Sequence, residues 1–204
     1  MKKLFLCFLL ISLTQLSLAD ESMPASDFLK SSLEGLVSTL KNNPELLSNN
    51  EKMETYVTEN VLSQFDMTLL SKSIVGEPIW TKASAEEQGN LTAEMSVFFR
   101  HLIAKTLSEY DNQTLAFDEA TFSSDNERVA IKGRLLDKRD ETVAFNFRLI
   151  KSTSGWKIYD ITLGGVDLIY TYRSNFKSTL EEGGVARLAE ELHKKNLTVA
   201  AIKK

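Results

Sequence analysis

The chain has 204 residues, of which 43% are hydrophobic and 25% charged, as in an ordinary globular protein. Its single cysteine excludes a disulfide scaffold and a cysteine-ligated zinc site. No apolar run reaches the roughly 20 residues that a transmembrane helix needs. The formal charge of -4 argues against the basic surface that nucleic-acid binding requires, so we expect no nucleic-acid partner.

The first 19 residues have the pattern of a secretory signal peptide. Lys2 and Lys3 precede an apolar run from Leu4 to Leu13, and Ser17-Leu18-Ala19 places small residues where a signal peptidase cleaves. Cys7 lies inside the apolar run rather than directly after it, which argues against a lipoprotein anchor. We expect a secreted protein, periplasmic in a Gram-negative host, that begins at Asp20 and has no cysteine.

The first half of the remaining chain predicts helices. Apolar residues recur with helical spacing over Asp27–Leu40, Lys52–Leu62 and Asp66–Ile74. Ser84 and Glu87 then have the spacing of a capping box, in which each side chain bonds the other residue's backbone N–H group. The helix that they open has a long apolar stripe ending near Tyr110 and is the strongest helical pattern in the chain.

After Asn112 the apolar period changes to two, which predicts strands. Val129–Leu135 and Val143–Leu149 alternate regularly. Trp156–Leu163 changes phase halfway, because Trp156 and Ile158 match one face while Ile161 and Leu163 match the other. Such a change predicts a β-bulge or a strong bend. With one further strand, we expect about four strands joined by short turns into an antiparallel sheet.

The last part of the chain returns to helical spacing from Val166 to Phe176. Gly183-Gly184 ends this pattern, and Val185–Lys195 predicts a final amphipathic helix. The whole pattern predicts an α+β fold in which helices cover a bent antiparallel sheet. Since no linker or repeat interrupts residues 20–204, we interpret them as a single domain.

Signals of catalysis are few. His101 and His193 have no metal-binding spacing, so neither a metal nor a catalytic residue is expected. Asp160 lies in an aromatic strand and is the candidate general base of an alternative, a small exported isomerase or dehydratase. We favour a structural role for Asp160, bonded to nearby backbone, to Tyr172 or to Arg173.

Two segments resemble one known family. Residues 76–84 read GEPIWTKAS ahead of the long helix, and residues 155–161 read GWKIYDI, followed by Gly165-Val166 and by YRSNF at 172–176. This pattern resembles the MlaC (toluene-tolerance auxiliary component) family of periplasmic phospholipid-binding proteins. Asp167 and Thr171 depart from it, because the family pattern has serine and asparagine there, and they leave the headgroup preference open.

The resemblance implies a cone similar to nuclear transport factor two, with an apolar cavity that holds phospholipid as cargo and needs no cofactor. It implies a soluble, monomeric shuttle that maintains outer-membrane lipid asymmetry. The implied partners are an outer-membrane lipoprotein complex and an inner-membrane ABC transporter carrying a substrate-binding ring.

Combining the patterns with the resemblance, we predict a lipid-binding lining with two walls and a mouth. The predicted lining comprises Val143, Phe145, Phe147 and Leu149 from a strand, Phe99, Leu102 and Ile103 from the long helix, and Ile161, Val166, Ile169 and Tyr172 at the mouth. The same residue types also form ordinary cores. A solid-core module that binds proteins by its surface therefore remains a second alternative.

Overall fold

The computed structural model describes residues 23–136 and 141–202, so the predicted signal peptide lies outside the described residues. Helices precede the sheet, and one long helix follows it. The helices before the sheet are α1 (Ala25–Asn42), α2 (Pro44–Ser48), α3 (Asn50–Tyr56), α4 (Met67–Val75), α5 (Glu77–Trp80) and α6 (Ala85–Ser108).

A five-stranded antiparallel sheet follows, with its strands in the order of the chain. Its strands are β1 (Thr114–Phe122), β2 (Arg128–Leu136), β3 (Thr142–Ser152), β4 (Gly155–Leu163) and β5 (Val166–Asp167), and α7 (Leu168–Ile202) comes last. Non-helical backbone at Gly183 and Gly184 divides α7 into two segments. The predicted α+β class, the antiparallel sheet and the break at these two glycines are confirmed.

The fifth strand is a difference from the prediction, which began a helical segment at Val166. Gly164 and Gly165 have φ angles of 57° and 81°, and they form a two-residue turn between β4 and β5. Two consecutive positive φ angles are typical of tight hairpin turns and favour glycine. The chain therefore reverses onto β4 for two residues before α7 starts.

The predicted helix Lys52–Leu62 is interrupted. The α-helix ends at Tyr56, a π-helical turn covers Val57–Val61, and a 3₁₀ turn covers Leu62–Gln64. The changed winding directs the chain toward the sheet, where Phe65 bridges to Ile158 and the N–H group of Asp66 donates to the Ile158 carbonyl at 2.8 Å.

The capping box of α6 forms as predicted. The Glu87 N–H group donates to Ser84 Oγ at 3.2 Å, and the Ser84 N–H group donates to Glu87 Oε2 at 2.7 Å. Two donors at the start of the helix are thereby satisfied within the chain. This start fixes where the apolar stripe of α6 begins.

The phase change in β4 is a β-bulge, as predicted. Arg148 pairs with Asp160, whereas Leu149 pairs with Ile158, so Tyr159 is an extra residue. Because side chains alternate between the two faces of a strand, the extra residue keeps Ile161 on the same face as Ile158. The apolar residues on both sides of the bulge therefore share one face of the sheet.

The described apolar side chains form three clusters. The sheet cluster contains Leu149 and Ile158 and is covered by the first turns of α1, through Ala25 and Leu29. The helix cluster is built by α4, α6 and α7, and the end cluster joins the end of α1 to α3 and α6. The helix and end clusters share Leu62 and Ile103, whereas the sheet cluster shares no member with either. The sheet cluster is therefore a separate group of packed side chains within the described residues.

Gly133 gives a test of packing on the apolar face. A Cβ atom there would lie 2.3 Å from both the Phe145 ring and the Ala116 carbonyl oxygen. We therefore expect Gly133→Ala to lower the free energy of unfolding by about 1–3 kcal/mol, as overpacking does. The control Gly35→Ala meets open space in α1 and should raise stability by about 0.5–1 kcal/mol. Urea denaturation measures both, and an unchanged Gly133→Ala protein would contradict the packing described.

Candidate functional site

The strand members of the predicted lining lie together on the apolar face of the sheet. Phe145 and Leu149 are buried, Phe147 and Ile161 are half-buried, and Val143 is exposed. Phe147 and Ile161 are direct partners across β3 and β4. The Phe145 and Phe147 rings make an edge-to-face contact with centroids 5.5 Å apart. One wall of the predicted lining is therefore continuous.

The helical members gather in the helix cluster instead. Phe99 is fully buried there, and the partly buried side chains of Leu102, Ile103, Ile169 and Tyr172 pack around it. The Phe99 and Tyr172 rings meet edge to face with centroids 5.4 Å apart. Burial raises the pKa of the Tyr172 phenol, since the phenolate would lose its hydration. α6 and the start of α7 hold this second wall.

The structure brings the predicted residues together as two groups rather than one. The strand wall extends the sheet cluster, and the helical wall belongs to the helix cluster. Two surface grooves, of about 390 Å³ and 540 Å³, lie along α4, α5 and α7 and along α2 and α3. None of the predicted lining residues borders either groove. The lining therefore stays a prediction.

Exposed apolar side chains concentrate around the β4–β5 turn. Val143, Leu163, Val166 and Tyr170, which we name the apolar rim, are 40%, 36%, 60% and 75% exposed. The Gly164 N–H group donates to the Ala144 carbonyl at 2.8 Å and holds the turn against β3. Val143 and Val166 were predicted as lining. Leu163 and Tyr170 were not, although the apolar phase of β4 already extended to Leu163.

A charged cluster lies beside this turn. The Arg148 guanidinium contacts the Asp160 carboxylate through Nη2, and the same nitrogen donates to Asp167 Oδ2 at 2.8 Å. The Asp160 side chain is fully buried, whereas those of Arg148 and Asp167 are 39% and 31% exposed. Asp167 Oδ1 also accepts the Tyr170 N–H group at 2.8 Å and so caps the start of α7. One arginine thereby connects β3, β4 and α7.

The side-chain partner of Asp160 is Arg148 rather than the predicted Tyr172 or Arg173, whereas the predicted interaction with nearby backbone is present at Ile161 and Ile169. Arg148 lies directly opposite Asp160 in the register of β3 and β4, whereas Arg173 bonds the Ser73 carbonyl. The signal that could have found this pair is an arginine placed in the mostly apolar segment 143–150.

Burial raises the pKa of the Asp160 carboxyl, and the nearby Arg148 offsets this only partly. A general base must reach a substrate proton, and the buried Asp160 side chain lies behind Arg148.

The histidines take structural positions. His101 Nδ1 lies 2.9 Å from Glu54 Oε1, and His193 Nδ1 lies 2.8 Å from Glu94 Oε1. Within residues 23–136 and 141–202, no group of three histidine, cysteine, aspartate or glutamate side chains could hold a metal ion. Over the same ranges, no helix is long and apolar enough to cross a membrane.

The fold and site together define an α+β protein with an apolar sheet face, a separate apolar helix cluster and an exposed apolar rim at one turn. Residues 30–194 match the family described as MlaC protein. The chain belongs to the MlaC family, as its sequence motifs predicted.

This chain is also similar to two bacterial proteins. The intermembrane phospholipid transport system binding protein MlaC of Haemophilus influenzae is 21% identical over 171 residues, which cover 82% of this chain and 77% of that protein. A phospholipid-binding protein of Ralstonia solanacearum, solved in complex with a phospholipid, is 26% identical with a TM-score of 0.76. That likeness covers 86% of this chain and 98% of the Ralstonia chain.

The raised pKa of the Asp160 carboxyl predicts a pH-dependent stability. The folded protein keeps a proton on Asp160 at pH values where the unfolded chain, with a pKa of about 3.9, has lost it. The stabilising contribution of Asp160 is therefore present at acidic pH and is lost as the pH rises through the raised pKa. We expect the free energy of unfolding of the native protein, minus that of Asp160→Asn, to fall between pH 4 and pH 7. Urea denaturation across this range measures it, and a difference that grows with pH would contradict the effect of burial.

Proposed function

We propose that this chain binds phospholipid and carries it between membranes. Membership of the MlaC family supports the proposal, as do the transport-system name of the Haemophilus relative and the phospholipid bound by the Ralstonia protein. The observation that carries it is the likeness of the fold, at a TM-score of 0.76, to the Ralstonia protein solved with a phospholipid bound. Acyl chains would enter at the rim and lie between the walls.

Physical chemistry explains why a lipid needs such a protein. Each methylene removed from water contributes about 0.8 kcal/mol, so a sixteen-carbon tail contributes about 12 kcal/mol. A free phospholipid would therefore leave a membrane very slowly. Apolar side chains that replace the membrane interior lower this barrier, while the headgroup can stay in water. Binding of this kind needs no catalytic residue, and we propose that the protein is not an enzyme.

The family resemblance also suggests where the protein acts and what it contacts. We propose that the chain is exported to the periplasm and acts there as a monomeric shuttle. It would exchange lipid with an outer-membrane lipoprotein complex and with the substrate-binding ring of an inner-membrane ABC transporter, and thereby maintain outer-membrane lipid asymmetry. The exposure of the Val166 and Tyr170 side chains supports the apolar rim as the proposed point of exchange.

A solid-core module that binds other proteins by its surface is the second candidate. The favouring observation is that Phe99, Phe145 and Leu149 are already buried among other side chains. In a solid core, Phe147→Ala should cost about 3–5 kcal/mol. In the proposed carrier, Phe147→Ala should lower the free energy of unfolding less in the lipid-free form than in the lipid-bound form. Without lipid, the Phe147 side chain would have fewer packing partners to lose. Thermal melts with and without phospholipid separate the two, since equal destabilisation of both forms would support the solid core.

Enlarging one residue of the rim tests the entry route. We expect Val166→Trp to reduce phospholipid transfer between vesicles severalfold, because the larger ring would obstruct the proposed entry at the apolar rim. The melting temperature should change little, since Val166 is 60% exposed. The matched control is Leu197→Trp, at a 58% exposed position near the end of α7, which should transfer lipid normally. Normal transfer by Val166→Trp would place the entry elsewhere.

A further inference from the structure

Arg148 links β3 to β4 and to the start of α7, beside the apolar rim. Its guanidinium contacts Asp160 on β4 and Asp167 at the end of β5. Asp167 is at the same time the cap of α7, through the Tyr170 N–H group. A single side chain of β3 therefore adds a link between β4 and the cap of α7 to the backbone pairing of β5 with β4.

The two contacts of Arg148 differ in their access to water. Asp160 is 1% exposed and lies directly opposite Arg148 in the strand register, so this contact is part of the interior. Asp167 is 31% exposed at its side chain, and water can replace it on the guanidinium. The contact with Asp160 therefore orients Arg148, and the contact with Asp167 is the one that can open. Exposed ion pairs contribute little to global stability, so its loss would act locally.

The segment that Asp167 caps carries residues of both the wall and the rim. Ile169 and Tyr172 pack in the helix cluster, and Tyr170 is part of the apolar rim. Val166, also in the rim, directly precedes Asp167. A displacement of this segment from the sheet would therefore separate the helical wall from the strand wall at the rim.

We propose that Arg148 is a positioning residue whose contact with Asp167 latches the start of α7 to the sheet and limits the rate of phospholipid exchange. This inference rests on the proposed function. It assigns to Asp167, which departs from the family pattern, a role in the speed of exchange rather than in the affinity for lipid.

The substitution Asp167→Asn separates the latch from the helix cap. Asparagine accepts a backbone N–H group at a helix start as well as aspartate does, so the bond from Tyr170 is retained. It has no charge, so the ion pair with Arg148 is lost. Arg148→Met is the less informative variant, because it would also leave the buried Asp160 without its cation and destabilise the fold.

The sheet offers a matched control. Arg134 Nη2 lies 3.2 Å from Asp118 Oδ1, an exposed arginine–aspartate pair that joins β1 to β2. Asp118→Asn removes one carboxylate and one cross-strand pair of the same sheet without touching α7. The two variants have equal net charge, which excludes general electrostatic effects on vesicle binding.

The experiment measures exchange of a fluorescent-acyl phospholipid between the protein and vesicles of phosphatidylethanolamine and phosphatidylglycerol. We expect Asp167→Asn to exchange lipid about two- to fivefold faster than the native protein, the range that the loss of an exposed ion pair allows. Bound lipid per protein at equilibrium and the melting temperature should remain unchanged. Asp118→Asn should exchange lipid at the native rate.

Hydrogen exchange of the lipid-free proteins gives a second readout. The backbone amide of Val166, which lies in β5 and is held by pairing with β4 rather than by the cap of α7, should exchange faster in Asp167→Asn than in Asp118→Asn. Native exchange rates in Asp167→Asn, or equal acceleration by Asp118→Asn, would overturn the latch while leaving the proposed function intact. A native protein that takes up no phospholipid would instead overturn the proposed function, and the latch with it.

Discussion

The β-bulge at Tyr159 is the constraint on which the rest of the structure depends. The one extra residue keeps Trp156 and Ile158 on the same face as Ile161, which pairs with Phe147. It also places Asp160 opposite Arg148, on the other face of β4. Without the bulge, a strand with this sequence would turn half of its apolar side chains away from the sheet cluster. The apolar wall and the charged cluster are thus two consequences of one local irregularity.

The two faces of the sheet carry different physical roles. The apolar face provides burial, which is non-directional and can be shared between side chains and an acyl chain. The charged cluster around Arg148 depends on geometry, because the buried Asp160 carboxylate needs a cation at a fixed place. A carrier benefits from this separation. In the proposed carrier, the apolar wall would accept lipids of varied shape, while the charged cluster would hold the start of α7 beside the rim.

Sequence reasoning was most successful where structure is local. The capping box at Ser84 and the alternation in β3 depend on near neighbours, and both were predictable. The strand β5 was missed because two residues are too few to show a period. The contact between Arg148 and Asp167 was missed because it depends on the register of three strands. Whether Phe147 lines a cavity or fills a core could not be predicted, since both environments select the same residue types.

The most direct test of the account is the lipid content of the native protein. The protein would be purified from its host without detergent, and its mass measured under non-denaturing conditions and again after organic extraction. A carrier with two apolar walls should retain phospholipid in a near-stoichiometric amount, released only by the organic solvent. Protein that carries no phospholipid, and takes up none from vesicles, would contradict the account and favour a solid-core module.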